Sequence, residues 1–486
     1  MHTGSFFLFR SFLLALCAVS IGHAVKTKAK VLILGGGLSG LQAAYSLKQR
    51  GIDDILLLEA DAKLGGRFVA GNLPNIPTDS AFWEADTVHP ERNTLVRMAN
   101  LCNIPFSNRR VSNTVYIDDK GNDVSAQAAQ RLAALRSVVS ELKDNWINGV
   151  IDDDDVLSID AGLNLRGWHD TTPLDRAVED WHFEGFIPYE QSLAYYLSLV
   201  AGPNAYSANT KYFHPDVSAP FTGQMLIDCM QNLVFETADE RLQLNVLVNN
   251  IAYNSNGVTV TTDKGIVYQG EYAIVTFSIG VLQRQGIAFS PPLPFKKQLA
   301  INELVNHPLT FVFVRFNSTI QFNGQSYLYY ILALPKRLEW LYCRHLPHAN
   351  LTGSQDVCRF WVLGEEALRV ESQPLEDTFR EVADVMKVAI GVEPDSVSVA
   401  SVNQNPLFHG GFRLSQPSFS FAKLDIVREP LMNRVFFAGD GYQIPMYGRA
   451  AAISGNETAN VLADCISGGS CAYEKFGKEE TVCGTY

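Results

Sequence analysis

The stretch from Lys30 to Glu59 constrains the fold more than any other part of the chain. Lys30-Val31-Leu32-Ile33-Leu34 is apolar and β-branched enough to predict a buried parallel strand. It breaks at once into Gly35-Gly36-Gly37-Leu38-Ser39-Gly40, a G-x-G-x-x-G turn. The spacing then predicts a helix over Leu41–Arg50, closed by Gly51, and a second strand over Ile55–Leu58 that stops on Glu59. Gly35 permits the tight turn, Gly37 lets the backbone approach a pyrophosphate, and Gly40 lets helix and strand pack closely. The pyrophosphate would rest on the free N–H groups of Leu38 and Ser39, at the positive end of the helix dipole. Glu59, 24 residues after Gly35, is placed to bind ribose hydroxyls. A structural glycine turn in an ordinary α/β domain is the competing reading. The order of strand, helix, strand and terminal acid favours the dinucleotide.

Glu59-Ala60 followed by Gly65-Gly66-Arg67 resembles the E-A-x-x-x-x-G-G-R extension of the flavin amine oxidase family. The resemblance implies FAD, with Gly65, Gly66 and the rigid fork of Arg67 running along its phosphates. Near the other end, Phe437-Ala438-Gly439-Asp440 and the helical pattern Gly448–Leu462 resemble the family's second FAD motif. There Gly439 and Asp440 would meet the ribityl or pyrophosphate region, and the helix N-terminus would face the flavin. Val248 falls where the family sets a backbone against adenine; it also reads as a core valine. No cysteine lies near the 440s, so the FAD is expected to be non-covalent. The likeness runs from Lys30 to Gly477 and is nearest to the secreted polyamine oxidases, of which this chain is a divergent relative.

That resemblance implies an amine oxidase. The amine α-carbon gives a hydride equivalent to the flavin, the imine hydrolyses to an aldehyde, and O2 is reduced to hydrogen peroxide. Two aromatic rings guide the amine in the family, partly by cation–π attraction. Tyr447 and Phe412 fall at those places, and each also reads as a core aromatic. Three departures stand out. Phe311 occupies the position of the family lysine that assists the oxygen chemistry, while Lys296 and Lys297 read as exposed helix residues. The two substrate carboxylates are displaced, leaving Glu84 and Glu184 as the nearest acids. A family member with little oxidase activity, serving in binding, and a flavin oxidoreductase with a non-amine substrate are therefore the alternatives.

The fold class that follows is α/β: a discontinuous Rossmann-like FAD-binding domain of the GR2 type, with an inserted α+β substrate-binding domain. Residues 30–107, 211–300 and 402–465 are assigned to the first, 108–210 and 301–401 to the second, and 466–486 to a tail. At 486 residues the chain is long enough for both. Helices are expected over Val124–Trp146, Leu174–Trp181, Lys296–Leu304 and Leu375–Ala389, and strands over Leu242–Ile251, Val258–Thr262, Tyr272–Ser278, Thr310–Phe316 and Tyr327–Leu334. A formal net charge of −12 argues against a nucleic-acid partner. Residues 1–24 resemble a secretory signal, with Arg10 before an apolar core too short for a comfortable span, so the chain is expected to be secreted without stable membrane insertion. Sequons at Asn317 and Asn350 suit that route, whereas the one at Asn456 falls in an expected buried helix. Cys465 with Cys471, and Cys343 with Cys358, are candidate disulfides. His89, His182, His307 and His409 are scattered, and no metal constellation is present in the pattern.

Overall fold

A computed structural model describes residues 26–69, 85–86, 94–104, 106–107, 114–151, 156–183, 191–201, 212–215, 222–284, 286–317, 328–332, 340–345, 356–417, 419–443 and 447–476. β1 (Lys28–Leu34) and β2 (Ile55–Leu58) pair in parallel, Val31 opposite Ile55 and Leu34 opposite Leu58. The strand Val267–Val275 runs parallel on the other side of β1, with Leu34 opposite Val275. Val435–Phe437 pairs in parallel with the end of that strand, Val275 opposite Phe437. Toward that end the strands are buried on both faces, at Val31–Leu34, Ile55–Leu58, Ala273–Val275 and Val435–Phe437, which is why these stretches read as unbroken apolar runs. All four end along one edge of an eight-stranded sheet, so the residues that follow them, Gly35, Glu59, Thr276 and Gly439, converge there.

α1 (Leu38–Gln49) is covered on its far side by the helix Tyr447–Ile466. A Cβ on Gly455 would overlap the Ser39 carbonyl, so glycine sets how closely the two helices approach. Beside it the Ser46 hydroxyl donates to Asn456 Oδ1 at 2.9 Å, which engages the amide of the third sequon. Beyond the helix the Cys465–Cys471 disulfide turns the chain back. Tyr473 then donates its hydroxyl to the Phe437 carbonyl at 3.2 Å and lies 2.9 Å from Thr458 Oγ1.

A second, six-stranded sheet runs Ser396–Ser401, Leu309–Phe316, Asp356–Leu363, Trp340–His345, Leu328–Leu332, Thr114–Ile117. Alternation sorts its faces. Val312, Val314 and Phe316 pack under the helices Gly364–Ser372 and Leu375–Ile390, while Leu309, Phe311 and Phe313 join the core shared with the first sheet. Two strands tie the bodies together: Val305–His307 pairs with Phe412–Leu414, His307 opposite Phe412. Cys343 and Cys358 are register partners, and Cys358 is disulfide-bonded. Cys102–Cys229, which the cysteine spacing does not suggest, closes a loop of 127 residues. Among the described residues no helix is long and apolar enough to cross a membrane, and no His/Cys/Asp/Glu group is arranged for a metal.

Three expectations need correction. The run Leu242–Ile251 is not one strand: Leu242–Gln243 and Val248–Asn254 are separated where Asn245 takes φ +58° and Val246 donates its N–H to the Glu59 carbonyl at 2.8 Å. The strand expected over Tyr272–Ser278 is Val267–Val275, because Ser278 leaves the sheet to cap a short helix, Ile279–Gln283, through the Val281 N–H. Lys297 is 1% exposed, not a surface residue. Its ammonium donates to the carbonyls of Ile426 (2.9 Å) and Val427 (2.7 Å), at the end of the helix Phe421–Arg428, and lies 4.3 Å from the Phe437 ring centroid.

Burial pushes the Lys297 pKa down from its ordinary 10.5 to about 7. Below about 7 the lysine is charged in both states, and burying it costs stability in full. Through the window from about 7 to 10.5 the unfolded chain holds the proton and the folded chain does not, so this site's contribution improves as pH rises. Lys297→Met is expected to flatten that rise, measured as urea unfolding at the two ends of the window.

Candidate active site

The converging strand ends enclose a cavity of about 370 Å³. Its floor is backbone. Gly35 sits at φ +113°, and a side chain there would overlap the Thr276 hydroxyl, which donates to the carbonyls of Leu34 and Gly35. Gly37 faces open space at the N-terminus of α1, and that terminus has no side-chain cap. The amides of its first turn have no intrahelical acceptor. Ser39 Oγ lines the same cavity, buried and without a hydrogen-bond partner. Gly40 does not line it: a Cβ there would overlap the Gly35 carbonyl, which is the close helix–strand contact expected of the third glycine.

Leu38, Glu59, Gly65, Gly66, Arg67, Val248, Gly439 and Asp440 all line this cavity with Gly35, Gly37 and Ser39. Glu59 accepts the Gly36 N–H at 2.5 Å on one carboxylate oxygen and the Asp61 N–H at 2.8 Å on the other. Burial pushes its carboxyl pKa up, against the pull of those two N–H bonds. Arg67 lines the cavity and donates to Asp440 Oδ1 and to the Gly411 carbonyl, each at 2.5 Å. Gly439 holds φ +149° and donates its N–H to Ser454 Oγ at 3.1 Å, which ties the last motif to the helix Tyr447–Ile466. The break after Gln243 delivers Val246, Leu247, Val248 and Asn249 to the opposite wall.

Sequence reasoning missed one wall. Pro406, Leu407, Phe408, His409 and Gly411 line the cavity, together with Arg284. This segment is fixed by its carbonyls: Ser278 Oγ donates to Phe408 at 2.5 Å, and Asn306 Nδ2 donates to His409. His409 is thus not a scattered histidine but a cavity residue, held at φ +52°, with its pKa lowered by burial and then by the Arg284 charge. The glycine pair Gly410-Gly411 was the available signal, Gly410 taking φ +132°.

The reacting-side residues are placed less completely. Phe412 stands on the strand Phe412–Leu414 and Tyr447 opens the helix Tyr447–Ile466; their side chains, like Glu84 and Glu184 altogether, lie outside the described residues. Phe311 is buried on the shared-core face, 5.4 Å and edge-on from Trp361.

The profile of the family described as "Flavin containing amine oxidoreductase" matches residues 38–463. The chain belongs to that family. Polyamine oxidase 6 of Oryza sativa subsp. japonica is 26% identical to it over 496 residues, 93% of this chain and 94% of the relative. Polyamine oxidase 1 of Zea mays is 27% identical over 494 residues, covering 96% and 97%. Among solved structures, putrescine oxidase bound to putrescine aligns with a TM-score of 0.72 at 16% identity, over 90% of this chain and 99% of that one. Cyclohexylamine oxidase from Brevibacterium oxydans IH-35A aligns with 0.70 at 18%, over 90% and 99%. These likenesses establish the fold.

This amine oxidoreductase is accordingly an FAD-dependent enzyme, and its cavity suits the cofactor. An uncapped helix end and an orphan buried hydroxyl want an anion. Gly37→Val is expected to leave the melting temperature of the apoprotein near wild type while sharply reducing flavin retained on gel filtration. Gly40→Ala, which forces a backbone clash, should instead lower the melting temperature of the apoprotein itself.

Proposed function

We propose that this chain is a secreted amine oxidase of polyamine-oxidase type, oxidising the C–N bond of a small amine with O2 as acceptor. The ion pair between Arg67 and Asp440 inside the cavity carries this reading, because it joins the glycine-turn motif and the C-terminal motif at one site. The chemistry that bound FAD would supply is that of an acceptor for a hydride equivalent from the carbon beside the amine nitrogen, with return of the electrons to oxygen.

The chain's own residues bind and orient. The α1 amides at Leu38 and Ser39 hold the pyrophosphate, assisted by the Gly65-Gly66-Arg67 turn. Glu59 keeps acceptor capacity for ribose hydroxyls, since each carboxylate oxygen so far receives one N–H. The Val248 wall packs the adenine, and Gly439 and Asp440 hold the ribityl end. Phe412 and Tyr447 frame the amine, and Glu84 or Glu184 supplies its anionic contact. Similarity to plant polyamine oxidases over nearly the whole chain supports the substrate class. The signal-like leader and the disulfides Cys102–Cys229 and Cys465–Cys471 support secretion.

Phe311 favours a second reading, in which oxygen is a slow acceptor. The strand Leu309–Phe316 carries no lysine, and Phe311 is packed among Phe313 and Trp361. The mature protein should bleach anaerobically with at least one of spermine, spermidine or a monoamine, and release peroxide in air. Bound flavin that none of these amines reduces would remove the amine-oxidase reading for them; bleaching without peroxide would shift the conclusion to the second. Phe311→Lys is expected to speed flavin reoxidation in stopped flow, and an unchanged rate would count against the assignment of that position.

A further inference from the structure

Arg413 carries a guanidinium that is 1% exposed, and no carboxylate contacts it among the described residues. Burying an unneutralised cation is costly, yet the fold organises three elements around this one. Nη1 donates to Ser415 Oγ at 2.5 Å; Nη2 donates to the Tyr195 hydroxyl at 3.3 Å and to the Gln443 carbonyl at 3.1 Å. The plane also stacks near Tyr195 and Phe419, with centroids 5.3 and 5.1 Å away, and Nε has no partner. Tyr195 belongs to the helix Leu193–Ala201, and Arg413 to the strand Phe412–Leu414. Gln443 closes the turn that follows Asp440, four residues before Tyr447, and its own amide donates to Glu457 Oε2 at 2.5 Å on the helix that Tyr447 opens.

The guanidinium therefore fastens the strand bearing Phe412 to the backbone leading into Tyr447. Arg413 does not line the cofactor cavity. Its five donors in a fixed plane can hold Ser415, just past its own strand, and reach acceptors on two other elements at once, which an ammonium on a flexible stem does less well. We infer that Arg413 is a positioning residue for the amine, setting the distance between the strand that bears Phe412 and the turn, ending at Gln443, that precedes Tyr447. This rests on the proposed role of Phe412 and Tyr447.

The test is anaerobic flavin reduction by the best amine, in variants that have retained FAD. Arg413→Met should keep FAD affinity within about twofold while the limiting reduction rate falls on the order of 100-fold, the scale of an ångström of misplacement. Arg413→Lys should recover little of it. Combining Arg413→Met with Phe412→Ala or Tyr447→Ala should add little to the loss from the aromatic change alone, because the arginine acts through the rings. Full additivity would make Arg413 merely structural and overturn the inference. Should Arg413→Met not fold, Tyr195→Phe with Ser415→Ala removes two of its acceptors more gently; the same non-additivity is expected, and its absence is equally decisive. Phe412→Ala and Tyr447→Ala on their own separate the two ideas. If both leave reduction untouched, the aromatic reading fails and the inference with it; if they slow reduction while the Arg413 and acceptor variants do not, only the inference fails.

Discussion

The contact between Arg67 and Asp440 is the one on which the rest depends. Both side chains are largely shielded, at 17% and 12% exposure, so each would be expensive to leave unmatched. Their pairing closes a circuit through nearly the whole chain: the glycine turn at its start, the Gly411 carbonyl of the 406–411 segment, and the strand end after Phe437. The parallel register does the coarse alignment, by ending β1, β2, Val267–Val275 and Val435–Phe437 at one edge. The ion pair then fixes the gap across that edge. Neither feature alone would define a cavity.

Much of this site could be read from the sequence because it is made of backbone. A glycine at a strand end states a local geometric need, and Gly35, Gly37 and Gly40 each meet a different one: a positive φ, an open face, and a close carbonyl. The acid after an apolar strand is equally local. What escaped notice depended on tertiary context. Lys297 has the composition of a surface helix residue, and only the end of the helix Phe421–Arg428 above it supplies carbonyls to hold it inside. The break after Gln243 looks like continuous strand until the carbonyls of Glu59 and Asp61 are there to take the N–H groups of Val246 and Asn245. His409 and Arg284 come from separate loops and meet only once the sheet has formed.

The two sheets divide the work unequally. The eight-stranded sheet presents polar backbone and a few paired charges at one edge, which suits a large, charged ligand. The six-stranded sheet turns an apolar face, Leu309, Phe311, Phe313 and Trp361, toward the shared core. Such a face offers shape and exclusion of water but no hydrogen-bonding power, and specificity for a cation must then come from elsewhere. The short pairing of Val305–His307 with Phe412–Leu414 joins the two regimes.

The returning tail adds a last link. Because Cys465 and Cys471 fold the chain back, Tyr473 reaches the Phe437 carbonyl, two positions before Gly439. The prosthetic-group edge is thus braced by a segment that follows a small covalent ring. A reductant able to open that ring would loosen the brace and, with it, the strand end that meets the coenzyme.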